Sequence, residues 1–222
     1  NRTAGFYHAG LTQDLAAVIA HVQDAGSHER IALVGFSLGG NLILKYLGEC
    51  GADVPSELCA AATFSVPCDL VDGARAIHRW RNRFYLRRFM RHLRAKVRDK
   101  ATARPGLIDA EGIERLPDLY AFDGRYTAPV HGYASVEAYW RATSCSGYLS
   151  AIRLPALIAN ARNDTFLEDR CYPLDIVRPL KEVVLEMPDC GGHVGFPLAD
   201  GACWMEERAL DFIEAAQRDG AR

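Results

Sequence analysis

Nowhere does the chain carry the roughly 18 to 20 consecutive apolar residues that a membrane-crossing helix needs, so nothing in these 222 residues is expected to span a bilayer. No two of its seven cysteines, Cys50, Cys59, Cys68, Cys145, Cys171, Cys190 and Cys203, form a Cys-x-x-Cys pair. Neither a zinc knuckle nor a disulfide scaffold is expected, and no metal or other cofactor is implied. Scattered thiols of this kind are expected to be reduced and mostly buried, which favours a reducing compartment such as the cytoplasm. Charge of one sign is also missing: 26 Lys and Arg stand against 28 Asp and Glu. Nucleic acid is therefore not an expected partner, because domains that bind it usually carry a basic excess. Internal repeats and low-complexity tracts are absent too. What remains, 49% hydrophobic and 24% charged, is the composition of an ordinary globular chain with one core.

Apolar residues at Leu15, Val18, Ile19 and Val22 recur at helical spacing and predict a helix over 11–25, with Thr12 as its N-cap. The run Ile31-Ala32-Leu33-Val34 predicts a strand buried on both faces, and helical spacing returns over 39–47. Further strands are expected at 58–66, 156–161 and 183–187, with helix in part of 169–180 and over 202–217. Strand and helix alternate, as in an α/β fold with a mostly parallel sheet. Between residues 69 and 149 no strand pattern is found. About eighty residues is far too long for an ordinary connection, so 69–149 is expected to be a helical cap inserted after the second strand, on a core made of 1–68 and 150–222.

Gly35-Phe36-Ser37-Leu38-Gly39 lies directly after one of these strands and directly before a helix, the context in which Gly-x-Ser-x-Gly exposes a nucleophilic serine on a strained turn. Small neighbours two residues either side are expected to make that turn possible. The Leu38 N–H, at the start of the helix, is the expected oxyanion donor. A serine hydroxyl is a weak nucleophile and needs a histidine base oriented by a carboxylate, in the order serine, acid, histidine. Asp164 follows the 156–161 strand and His193 follows the 183–187 strand, both at carboxyl ends, where open α/β sheets bind ligands. Asp69, Glu168 and Asp169 compete for the role of acid. The other histidines, including His8, are expected to be surface or packing residues, and Asp123 and His131 have no assignment.

Four stretches resemble the YheT-like branch of the α/β-hydrolases, a group that includes the plant embryogenesis-associated proteins. They are Tyr7-His8-Ala9-Gly10 with Asp14-Leu15, the serine motif extended through Gly40-Asn41, Thr127-Ala128-Pro129-Val130-His131-Gly132-Tyr133, and Gly191-Gly192-His193-Val194-Gly195-Phe196. The resemblance implies a serine hydrolase of carboxylic esters, with lipid esters associated with the eukaryotic members and a triad that falls on Ser37, Asp164 and His193. It also implies two departures. Where the family reads Asp-Asp-Pro, this chain reads Asn163-Asp164-Thr165, which keeps the carboxylate and is expected to loosen the loop. Family members also carry strands ahead of the nucleophile strand, with a loop that gives the second oxyanion N–H, so the chain is expected to lack that part and to leave an unpaired sheet edge.

The stretch 75–100 interleaves Arg79, Arg83, Arg87, Arg91, Lys96 and other cations with apolar residues at helical spacing. It reads either as a basic face that attracts an anionic substrate or a lipid surface, or as the solvated outside of cap helices. Two rivals to the hydrolase stay open: an acyltransferase with the same triad, and a catalytically silent interaction module. With the second oxyanion donor expected to be missing, the 222-residue chain should hydrolyse short p-nitrophenyl esters poorly, and brisk Ser37-dependent turnover in a spectrophotometric assay contradicts that expectation.

Overall fold

The computed structural model describes residues 5–26 and 28–219. In chain order it holds α1 (Thr12–Asp24), β1 (Ile31–Phe36), α2 (Leu38–Cys50) and β2 (Leu58–Phe64). A strandless stretch follows, with α3 (Leu70–His78), α4 (Arg83–Ala103), α5 (Leu119–Phe122), a π-helical turn at Asp123–Thr127, α6 (Ala128–Val130) and α7 (Val136–Thr143). The chain then closes with β3 (Ala156–Ala159), α8 (Leu174–Val177), β4 (Val183–Glu186) and α9 (Trp204–Asp219). The helical character of 69–149 and the α/β order around it agree with the sequence reading.

All three strand pairings are parallel, in the order β1-β2-β3-β4. The register sets Phe36 opposite Phe64, Phe64 opposite Ala159 and Ala159 opposite Glu186, so the four carboxyl ends finish level. Small residues make the central strand possible: Ala60, Ala61 and Ala62 are fully buried because helices cover both faces. On one face Ile19, Ile43, Leu44 and Leu47 from α1 and α2 pack with Leu33, Leu58 and Ile158. On the other, Met205 and Ala209 of α9 pack with Ala62, Phe64, Leu157 and Ala159. Each buried leucine of this kind contributes about 1.5–3 kcal/mol by leaving water.

Several local expectations are corrected. Thr12 is the first residue of α1, not its cap; Leu11 occupies the cap position without a side-chain hydrogen bond. β1 is not buried on both faces, since Val34 and Phe36 are each 45% exposed. Leu33 and Gly35 point to the α1 and α2 side, whereas α9 lies over β2 and β3 and leaves the opposite face of β1 half open. β1 runs on to Phe36, past the Val34 read from the sequence, whereas β2, β3 and β4 end earlier than read, β2 at Phe64, where Ser65 turns to φ 53°. Among the described residues, all seven thiols are free, but only Cys68, Cys145 and Cys171 are fully buried and Cys190 is exposed.

Asn41 of α2 holds the helical stretch to the core. It is completely buried; its Nδ2 donates to the Thr143 carbonyl (2.9 Å) and its Oδ1 accepts from the Cys145 N–H (2.8 Å). Removing that amide leaves two buried backbone groups without partners. Asn41→Ala should therefore cost about 2–4 kcal/mol of folding stability, read as a lowered midpoint in urea denaturation followed by circular dichroism.

Candidate active site

β1 delivers the chain into a turn that ordinary residues avoid: Ser37 sits at φ 50°, ψ −122° before α2 begins at Leu38. The steric demand falls on Gly35 and Gly40 more than on Gly39. A Cβ on Gly35 would stand 2.6 Å from Ile43 Cδ1 and 2.9 Å from the Gly40 nitrogen, and one on Gly40 would stand 2.7 Å from Val66 Cγ2. At Gly39 a Cβ would meet nothing within 4 Å. The expectation that both motif glycines are needed for space is thus met at Gly35 alone, because Gly35 faces the first turn of α2 and Gly39 faces open space.

The structure brings Ser37, His193 and Asp164 into one chain of contacts. Ser37 Oγ lies 3.0 Å from His193 Nε2, and His193 Nδ1 lies 2.9 Å from Asp164 Oδ2. The Asp164 side chain is fully buried and that of His193 is 18% exposed. A carboxylate only accepts, so Nδ1 carries the proton and Nε2 presents its lone pair to the Ser37 hydroxyl. Asp164 Oδ1 is occupied as well, accepting from the Phe166 N–H at 2.8 Å, which fixes the carboxyl plane. Leu38, the first residue of α2, presents its N–H at the positive end of that helix beside Ser37.

The competing acids are engaged elsewhere. Asp69 caps α3, its Oδ1 accepting from the Asp72 N–H. Glu168 pairs with Arg79 at 2.8 Å, and Asp169 opens a short 3₁₀ turn. The acid loop is also not loose. Thr165 Oγ1 donates to Asn82 Oδ1 (3.0 Å), while Asn82 Nδ2 donates to the Thr165 carbonyl (2.7 Å) and to that of Ala76 (2.8 Å). A hydroxyl can crosslink where proline could not.

Sequence reading missed the groups that hold His193. Asn163 Oδ1 accepts from the Gly192 N–H (2.8 Å) and Ser65 Oγ accepts from the Val194 N–H (2.9 Å), one bond on either side of the histidine. Gly191 permits the loop to close, since a Cβ there would stand 2.5 Å from the Phe196 ring. Phe166 stacks on the imidazole with centroids 4.3 Å apart. Asn163 stood out only as a departure from the family pattern, and Ser65 had no signal beyond its place at the end of a strand.

The sequence profile of the alpha/beta hydrolase fold matches residues 5–200. The chain belongs to the α/β-hydrolase fold family. It is similar to YheT of Escherichia coli (strain K12), 32% identical over 218 residues that cover 96% of this chain and 63% of YheT. The resemblance to the YheT-like branch is thereby met. The chain is also 30% identical to phospholipase ABHD3 of Mus musculus over 191 residues, which cover 86% of this chain and 46% of that protein. It thus spans between roughly half and two thirds of the length of these relatives. Among solved structures, an esterase/lipase from an uncultured bacterium superposes with a TM-score of 0.54 at 17% identity, covering 95% of this chain and 60% of that one, a likeness of fold.

In this α/β-hydrolase fold the helical stretch 69–149, together with residues from 6–9, 163–167 and 192–194, lines a cavity of about 1000 Å³ that contains Ser37 and His193. Its walls are mainly apolar, with Leu70, Ile77, Phe89, Leu93, Phe122 and Trp140 among them. Asp123, unassigned from sequence, is a buried joint in that wall. It accepts from Thr127 Oγ1 (2.6 Å) and Trp140 Nε1 (2.8 Å), and burial pushes its carboxyl pKa up.

His8, expected to be a surface or packing residue, is buried in the cavity wall. It packs against His131 with ring centroids 3.9 Å apart, and its Nδ1 accepts from the Gly10 N–H. Burial first, then His131 and Lys45, push the His8 imidazole down from 6.5 to about 4. Between those values the unfolded chain takes up a proton that the folded chain refuses. The stability that neutral His8 supports is therefore present above about pH 6.5 and lost as pH falls toward about 4. Urea titrations across that range should show His8→Gln losing less stability than the parent protein, and identical pH slopes would remove His8 from the account.

Proposed function

We propose that this site cleaves acyl esters by two-step acyl transfer through Ser37. The observation that carries the reading is the unbroken contact from Ser37 Oγ through His193 to buried Asp164, at 3.0 and 2.9 Å. His193 Nε2 takes the hydroxyl proton as Ser37 Oγ attacks the ester carbonyl, and Asp164 stabilises the imidazolium that results. The carbonyl oxygen becomes an oxyanion beside the Leu38 N–H and the N-terminal end of α2. His193 then protonates the departing alcohol, leaving the acyl group on Ser37. Water, deprotonated by the same nitrogen, attacks the acyl-enzyme; the carboxylic acid leaves and Ser37 recovers its proton.

The largely apolar cavity supports an ester with a hydrocarbon chain, and the relative whose name is phospholipase supports a lipid acyl ester. The stretch 69–149 serves in this reading as the cap that excludes water from the acyl group.

A fluorophosphonate probe tests the nucleophile without requiring turnover. It should label Ser37 in the 222-residue protein and fail in Ser37→Ala, with the modified peptide located by mass spectrometry. Asp164→Asn should slow labelling on the order of 10³-fold or more, because the imidazole loses its orienting acceptor. Equal labelling of the Ser37→Ala protein would place the reactive group elsewhere.

A further inference from the structure

Six residues of α4 line the cavity: Tyr85, Arg88, Phe89, His92, Leu93 and Lys96. Their spacing sorts them into two adjacent rows along the helix, each advancing by four residues. Tyr85, Phe89 and Leu93 form an apolar row. Arg88, His92 and Lys96 form a basic row about 12 Å long at 1.5 Å per residue.

The apolar row reaches the reacting centre through Phe166, whose ring meets Tyr85 edge-on at 4.9 Å and Phe89 at 6.2 Å and stacks on His193. The basic row is chemically unspent. Elsewhere on α4, Arg94 donates to the Leu116 carbonyl, Arg98 pairs with Glu114, and Arg83 lies over the Phe84 ring. Among the described residues, Arg88, His92 and Lys96 have no hydrogen-bond acceptor, acid or ring partner. The acid that shares the cavity, Asp123, has its two oxygens occupied by Thr127 and Trp140. Two permanent cations with a donor-capable imidazole between them therefore face the same cavity as Ser37 without a protein counter-charge.

We propose that Arg88, His92 and Lys96 form an anion-binding rail that selects acyl esters bearing a phosphate or carboxylate group, the acyl chain lying along Tyr85, Phe89 and Leu93. This rests on the reading of Ser37 as an ester-hydrolysing nucleophile. Arg88 and Lys96 line the cavity with exposed side chains and supply charge-assisted hydrogen bonds, which are stronger than neutral ones. A neutral ester of the same chain length keeps the apolar contacts and loses those bonds. The rail thus separates anionic from neutral esters and is indifferent to the acyl chain.

The test uses the Ser37→Ala protein, in which the ester stays intact, and titrates 1-dodecanoylglycerol 3-phosphate and 1-dodecanoylglycerol below their micelle concentrations by calorimetry. The phosphate ester should bind about tenfold tighter or better. Adding Arg88→Gln and Lys96→Gln should abolish that preference and leave the neutral ester's affinity unchanged. Adding Arg87→Gln and Arg91→Gln instead, two exposed cations outside the cavity, should leave the preference intact. Equal affinity for the two esters overturns the rail, as does a preference that survives loss of Arg88 and Lys96 or falls equally with Arg87 and Arg91.

Co-sedimentation with phosphatidylcholine vesicles, with and without phosphatidylserine, forms the second arm. Rail-dependent binding to anionic vesicles without discrimination between the monomeric esters assigns the cations to a membrane surface and overturns the proposal. Fluorophosphonate labelling of the unsubstituted protein keeps the two readings apart: an intact phosphate preference with unlabelled Ser37 overturns the hydrolase reading and leaves the rail as a binding site.

Discussion

The level ends of four parallel strands are the constraint on which the site depends. The hydrogen-bond ladder runs past the last strand residues: Ser37 N–H donates to the Phe64 carbonyl (2.8 Å), Ser65 N–H to that of Ala159 (2.9 Å) and Asn160 N–H to that of Glu186 (3.0 Å). Each strand therefore releases its loop at the same height, and each loop contributes one part. β1 gives Ser37, β2 gives Ser65, β3 gives Asn163 and Asp164, and β4 gives His193. A shift of one residue in any pairing would move its side chain to the other face of the sheet and dissolve the arrangement.

Backbone strain is concentrated at this same edge. Among the described residues, the non-glycine positions with positive φ are Ser37, Ser65, Val194 and Phe196, all in or beside the three-residue contact. Conformations of this kind cost about 1–3 kcal/mol each and persist only where surroundings over-determine them. Here the surroundings are visible: Ser65 Oγ holds the Val194 N–H, and the Gly191 carbonyl accepts from the Phe196 N–H at 2.8 Å. The same hydrogen bonds that secure the strained loop aim the imidazole, so strain and orientation have a common source.

The helical stretch is bound to the sheet at both of its ends by buried polar groups. Where it leaves β2, the Leu70 N–H donates to Ser144 Oγ and the Cys68 carbonyl accepts from the Ser146 N–H, which ties the entry directly to the exit. Asn41 holds the exit to α2, the helix that begins beside Ser37. Asn82 and Thr165 then join the start of α4 to the acid loop. The wall of the cavity is consequently tied to the elements that carry Ser37 and Asp164, including the α4 face that carries both the aromatic row and the unpaired cations.

Sequence alone determined the elements with strong local patterning. The apolar runs fixed four strands to within about two or three residues at their ends, the strandless stretch marked the helical insertion, and Gly-x-Ser-x-Gly, Asp164 and His193 each followed a strand. Those signals are local, so they survive without a fold. Tertiary structure decided what depends on neighbours distant in the chain. Asp164 stands out from Asp69, Glu168 and Asp169 only because the register carries it to His193 while the others meet Asp72, Arg79 and a helical turn. The half-open face of β1 follows from where α9 packs, and the clamps by Ser65 and Asn163 from loops that meet across the sheet edge. In α4 the sequence showed a basic amphipathic helix, yet which cations are paired outside and which face the cavity unpaired was set by packing, because helical spacing gives a residue's face and not what lies opposite it.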